Sequence, residues 1–169
     1  MAHAAFRHHT AREGFEVVFI GPHRIEGHTA AVEYETPFVV RYAIELDDAW
    51  RTRRAEITGQ PGTVVLEADG EGHWLVDGER RPDLDGCLDV DLESSAATNA
   101  FPVARGATDA PAAYVRAFGL EVMRLEQAYE RVGERTYRYD CDTFDAHIEL
   151  VYGEDGFVLE YPGLATRLL

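Results

Sequence analysis

Short runs of β-branched and aromatic residues, broken at regular intervals by turn signals, constrain this chain more than any other feature. The runs fall at residues 15–20 (FEVVFI), 24–35, 38–46, 51–57 and 63–68, and again at 114–123, 124–132, 136–140, 144–152 and 157–161. Partial alternation within them marks strands with one buried face. Gly70-Glu71-Gly72, Asp77-Gly78 and Glu154-Asp155-Gly156 read as tight turns, and Thr36-Pro37 as the turn between two neighbouring strands. Turns at this frequency predict an antiparallel meander, sandwich or barrel. The one helix the pattern allows is a short one over 94–99, with Ser94 or Ser95 as its N-cap.

A length of 169 residues predicts one domain, 1–169, and 46% hydrophobic residues suffice for its core. Residues 1–13 (MAHAAFRHHTARE) read as a flexible tail, in which His3, His8 and His9 would meet a metal only incidentally. A faint internal echo relates residues 34–57 and the DGEGHWLVDG that follows to residues 129–150 and GEDGFVLEYPG, with Trp50 and Phe144 at matching places. If it is a duplication, two curved β units meet at the segment between them, where ligand clefts commonly form.

Charge excludes one class of partner. All 16 basic residues are arginine, against 31 acids, and the net charge is −15. Such a field repels nucleic acid and anionic lipid surfaces. Its plain explanation is a solvated acidic coat, which a salt-rich cell interior would screen. There is no run of 18 apolar residues, so no membrane-spanning helix is expected, and the first residues lack the apolar core of a signal peptide. Two cysteines, Cys87 and Cys141, make no disulfide framework. The expectation is a cytoplasmic protein with free thiols.

Residues 84–105, LDGCLDVDLESSAATNAFPVAR, are the unusual stretch: an Asp-Gly turn, a cysteine, a D-V-D alternation, a Thr-Asn pair and a proline. On a strand, Asp89 and Asp91 share one face and Leu88, Val90 and Leu92 the other. The two carboxylates then face solvent, accept hydrogen bonds from sugar hydroxyls, or act as an acid/base pair for glycoside cleavage. Asp83, Asp85, Asp89, Asp91 and Glu93 do not follow the calcium-loop spacing, since Gly86 falls at the fourth place and not the sixth. Cys87 has no CxxC or Cys-His setting and reads as a packing residue. The only serines, Ser94 and Ser95, lie outside any G-x-S-x-G, and no P-loop or GxGxxG occurs. Asn99 can brace a loop or orient a polyol. Trp50, Trp74, Tyr129 and Tyr161 fill the core or line an apolar pocket with hydroxyls at its mouth.

The D-G-C-x-D-x-D-L and T-N-x-x-P elements of this stretch resemble the signature of a bacterial family described as glycolipid-binding. Weaker matches extend the resemblance over most of the chain: Trp50-Arg51-Thr52-Arg53, residues 72–78 (GHWLVDG), Gln127-Ala128-Tyr129, Tyr137-Arg138-Tyr139, Gly156-Phe157-Val158 and Tyr161-Pro162-Gly163-Leu164. The chain departs from the pattern at Ser95-Ala96-Ala97, where the family has Thr-Pro-Phe, and in keeping only Arg105 of an Arg-Arg pair. The resemblance implies a mainly β, β-rich α+β fold: one strongly curved antiparallel sheet, a β-roll or open barrel akin to bacterial lipoprotein carriers. It implies no catalytic residues, cofactor or metal. The resulting expectation is a protein that binds a glycolipid or other amphipathic molecule in the concave face of its sheet. Asp89, Asp91, Asn99 and Arg105 would then lie at the polar head, with Trp50, Trp74, Tyr129 and Tyr161 around it. The rivals are a small enzyme working on a sugar conjugate through Asp89 and Asp91, and a structural protein whose signature merely closes the roll.

Overall fold

The computed structural model describes residues 2–169. Eight strands come first: β1 (Ala2–His8), β2 (Glu13–Ile20), β3 (Arg24–Glu33), β4 (Thr36–Leu46), β5 (Thr52–Gly59), β6 (Gly62–Ala68), β7 (Trp74–Val76) and β8 (Glu79–Arg80). A central segment follows with β9 (Asp89–Leu92), helix α1 (Ala100–Arg105), β10 (Ala112–Val115) and β11 (Val122–Leu125). Five more strands complete the chain: β12 (Ala128–Arg131), β13 (Thr136–Cys141), β14 (Ala146–Tyr152), β15 (Val158–Tyr161) and β16 (Ala165–Arg167).

The strands before and after the central segment form one 13-stranded antiparallel sheet, ordered β12-β13-β14-β15-β16-β1-β2 and on to β8. The join is β16 against β1, where Phe6 faces Arg167. The fold is mainly β, and the large sheet does not close into a barrel. The central strands make a second, three-stranded sheet in which β9 and β10 run parallel, unlike the wholly antiparallel arrangement the turn spacing predicts. The helical link through α1 carries the chain back in the same direction, as a parallel pair requires.

Alternation decides which face is inside. On β4, Phe38, Val40, Tyr42, Ile44 and Leu46 are buried, while Val39, Arg41 and Glu45 point away. Equivalent positions on β1 bury Ala4, Phe6 and His8. The N-terminal residues are therefore a central strand, not a tail. Phe6 and Ala4 give that strand an apolar face, and pairing on both sides satisfies its backbone. The β3–β4 turn sits at Tyr34-Glu35, both with positive φ, and not at Thr36-Pro37. Pro37 pairs only with Val32 of β3, beyond the end of β5, so its missing N–H breaks no ladder.

Inward-facing polar groups from five strands reach for the central segment. Thr29 on β3 donates to the Ser94 carbonyl (2.7 Å), and Thr52 on β5 accepts from the Val90 N–H (3.0 Å). Trp74 on β7 donates to the Cys87 carbonyl (2.8 Å), Tyr129 on β12 to Asn99 Oδ1 (2.8 Å) and Tyr152 on β14 to the Asn99 carbonyl (3.2 Å). One segment held by both arms of the sheet requires the sheet to curve around it. Ala96, Ala97, Ala100 and Phe101 fill the space so enclosed. Helical structure lies one turn later than the 94–99 expected: a 3-10 turn at Ala97–Asn99 runs into α1, with no side-chain cap. Ser94 and Ser95 are buried, and the Ser95 hydroxyl donates across to Glu16 on β2 while accepting from the Ala97 N–H (3.1 Å).

Candidate functional site

The concave face is mostly filled by the central segment. What remains is a cavity of about 530 Å³ between that segment, the residues after β1, and β13–β16. This volume is within the range of small-molecule sites. Asp91, Ser95 and Asn99, all buried, give it a polar base. Its walls are aromatic: Tyr114, Tyr139, Phe144 and Tyr161. At its mouth, Tyr34 is 89% and Phe144 43% exposed. A polar base beneath aromatic walls, with Tyr34, Phe144 and the exposed Asp145 at the mouth, offers an amphipathic molecule both polar and apolar surface.

Each basal residue is held by a specific partner. Asp91 accepts a 2.6 Å hydrogen bond from the Thr98 hydroxyl. Burial pushes its carboxyl up to about 6 against that bond, with the neighbouring Asp89 charge adding to the rise. Asn99 is fixed by Tyr129 at Oδ1, and its Nδ2 makes only a long contact with the Ala96 carbonyl, 3.4 Å. An amide with two donors therefore keeps capacity for a ligand. Ser95 donates to the Glu16 carboxylate, which also accepts from Tyr42 (2.6 Å) and from the Ala96 N–H (2.9 Å). Glu16 is fully buried, and desolvation raises its pKa despite these three donors. The cluster anchors the segment to β2 directly behind the cavity.

The residues singled out from sequence separate into two groups. Asp91, Asn99 and Tyr161 line the cavity. Asp89, Arg105, Trp50, Trp74 and Tyr129 do not. Asp89 is buried in a two-pronged ion pair with Arg105. Trp50, in a left-handed turn conformation, packs its ring near Phe101 and Phe157, and its carbonyl accepts from Arg105 (3.1 Å). Trp74 is fully buried, and Tyr129 stands behind Asn99. Both aspartates are inside the protein, which overturns the solvent-facing reading of the D-V-D pair. Their carboxylates also do not converge on one space, because Arg105 holds Asp89 away from the cavity.

Arg12, Ser95, Tyr114, Tyr139 and Phe144 belong to the site without having been picked out. A signal existed for one buried partner: Glu16 is a lone acid at an inward position of the apolar run FEVVFI. Arg12 was hidden by reading residues 1–13 as a tail.

Comparison with known proteins agrees with this architecture. A family model described as "Putative glycolipid-binding" matches residues 6–167. The crystal structure of a DUF1089 family protein from Pseudomonas aeruginosa superposes with a TM-score of 0.83 at 31% identity, covering 96% of this chain and 95% of that one. No curated protein matches the chain. The match spans both arms of the sheet and the segment between them, and the chain belongs to this family.

Proposed function

We propose that the cavity binds a glycolipid or similar amphipathic molecule, sugar end innermost. The observation that carries this is the mixed lining of the cavity: buried polar Asp91, Ser95 and Asn99 beside the tyrosine rings, and exposed Tyr34 and Phe144 at its mouth. Ionised, the Asp91 carboxylate accepts hydroxyl hydrogen bonds strongly; protonated, it donates one; and Asn99 both donates and accepts. The rings of Tyr114, Tyr139 and Tyr161 present flat apolar faces suited to the C–H face of a pyranose, with hydroxyls at their edges. The aliphatic part then leaves past Tyr34 and Phe144. Asp89, Arg105, Trp74 and Tyr129 act at one remove, holding the segment that carries the base.

Solvent extraction of protein purified from its own cells, followed by mass spectrometry, tests the reading. A glycoconjugate in stoichiometric amount, lost from the Asp91→Ala and Asn99→Ala proteins, is expected. A co-purified molecule retained in full by both folded variants would place its site elsewhere and overturn the assignment.

A further inference from the structure

The cavity is selective in charge as well as in shape. Three carboxylates, Asp91, Glu93 and Asp145, line it against a single guanidinium, Arg12. That guanidinium already faces an acid of its own. Its Nε lies 3.1 Å from Glu33 Oε2, its Nη1 donates to the Glu93 carbonyl at 2.5 Å, and its Cζ sits 5.6 Å from the Phe38 ring centroid. Arg12 is also 5% exposed, so it has little room to turn toward a ligand. Arg116 meets Glu93 at 3.2 Å, while Glu93 Oε2 also accepts the Ala117 N–H at 2.7 Å. No lysine exists anywhere in the chain to supply another cation, and the net charge of −15 sets a negative field around the mouth.

A phosphate, sulfate or carboxylate at the base would stand beside Asp91 where water is largely excluded, and there like charges repel far more than in solution. A hydroxyl meets the opposite situation. A carboxylate offers about four acceptor positions, and the Thr98 hydroxyl occupies one on Asp91. We infer that the cavity takes a headgroup without negative charge, a neutral glycosyl unit in place of a phosphoryl, sulfated or uronic one. The inference rests on the glycolipid reading above and narrows its ligand class.

Calorimetric titration with three octyl glycosides of equal chain length, kept below their micelle concentrations, separates the two ideas. The probes are octyl β-glucoside, octyl β-glucuronide and the 6-phosphate of octyl β-glucoside. At low salt the glucoside is expected to bind about tenfold or more tighter than either anion, from the Coulomb energy of a like-charge contact in a partly dry site. Added salt should narrow the gap, because part of the field acts through solvent. Asp145→Asn, at the exposed mouth, should narrow it about two- to threefold. Asparagine keeps the left-handed backbone (φ 50°) that Asp145 adopts. Equal or tighter binding of an anionic head would overturn the charge rule and leave the glycolipid reading standing. Binding of none of the three would overturn both.

Discussion

Arg105 grips Asp89 with both of its terminal nitrogens: Nη1 pairs with Oδ1, and Nη2 lies 2.6 Å from Oδ2. The pair ties α1 to β9, and the Asp89 side chain is only 1% exposed. Burial raises the Asp89 pKa, with the guanidinium opposing the rise by hydrogen bond and charge. Removing one partner leaves a buried charge without compensation, which costs about 3–5 kcal/mol, whereas replacing both with apolar groups is often neutral. Arg105→Met should therefore lose about 3–5 kcal/mol in urea denaturation, and the Asp89→Leu/Arg105→Met double variant should recover most of it. A double variant as unstable as the single one would show that the pair does more than satisfy its own charges.

Asp91 gives stability an inverted response to pH. Its carboxyl titrates at about 6 in the fold and near 3.9 in an unfolded chain. Within that window the native protein holds a proton the unfolded chain has released, so stability falls as pH rises and stays lower above 6. Asp91→Asn keeps an oxygen for the Thr98 hydroxyl and abolishes the titration. It should be about 1–3 kcal/mol more stable than the parent at pH 8 and no more stable at pH 4, read by chemical denaturation at both. An offset independent of pH would mean that Asp91 does not titrate in this range.

His8 acts in the opposite sense. Burial first, then the charges of Arg12 and His9, hold its imidazole down at about 4, and neither ring nitrogen has a hydrogen-bond partner. The unfolded chain takes up a proton near 6.5 that the native protein refuses. The stability this group contributes is complete above 6.5 and lost as pH falls toward 4. His8→Leu sacrifices no hydrogen bond, so it should flatten the acid limb of the stability profile, gaining about 1–3 kcal/mol at pH 4.5 relative to the parent. At pH 7.5 the two should differ little. A parallel profile for the two proteins would exclude His8 as an acid trigger.

Gly27 faces Tyr42 across the β3–β4 pair, and the space above it is taken by the tyrosine ring. A Cβ on Gly27 would fall 2.2 Å from Cζ and the hydroxyl oxygen of Tyr42. Gly27→Ala must therefore push the ring off the Glu16 carboxylate it donates to. Overpacking and a weakened buried hydrogen bond together should cost about 2–4 kcal/mol. Adding Tyr42→Ala should remove the steric part, so the two losses combine to less than their sum. Simple additivity in thermal or urea melts would deny the contact.

The strands were legible because their signal is local. Residues 15–20, 38–46 and 63–68 are rich in β-branched and aromatic residues with partial alternation, and each forms a strand with one buried face. The Asp77-Gly78 turn was readable for the same reason, since both residues take positive φ. Tyr34-Glu35 was not, because neither residue advertises a left-handed turn and a threonine-proline pair stood next to it. The first strand was missed because its worth lies in β16, whose residues stand at the other end of the chain. For the site, the segment carrying its base stood out by composition, but the division of labour within it did not. Asp89 and Asp91 look alike in a D-V-D string. Only the helix that returns Arg105 to Asp89 makes one a structural anchor and leaves the other at the cavity.

The join of β16 to β1 has a kinetic side. Every other neighbouring pair in the large sheet is a hairpin between consecutive strands, and such pairs close quickly because little chain entropy is lost. Phe6 opposite Arg167 is the reverse case, a contact spanning almost the whole chain. The cavity draws on Arg12 from one side of that join and Tyr161 and Leu164 from the other, so it exists only once both arms have met. Any molecule that fills it binds the completed fold and not the open chain. Occupancy should thus slow unfolding and raise the melting temperature in proportion to the logarithm of ligand concentration, which makes heat a direct assay for whatever the cavity holds.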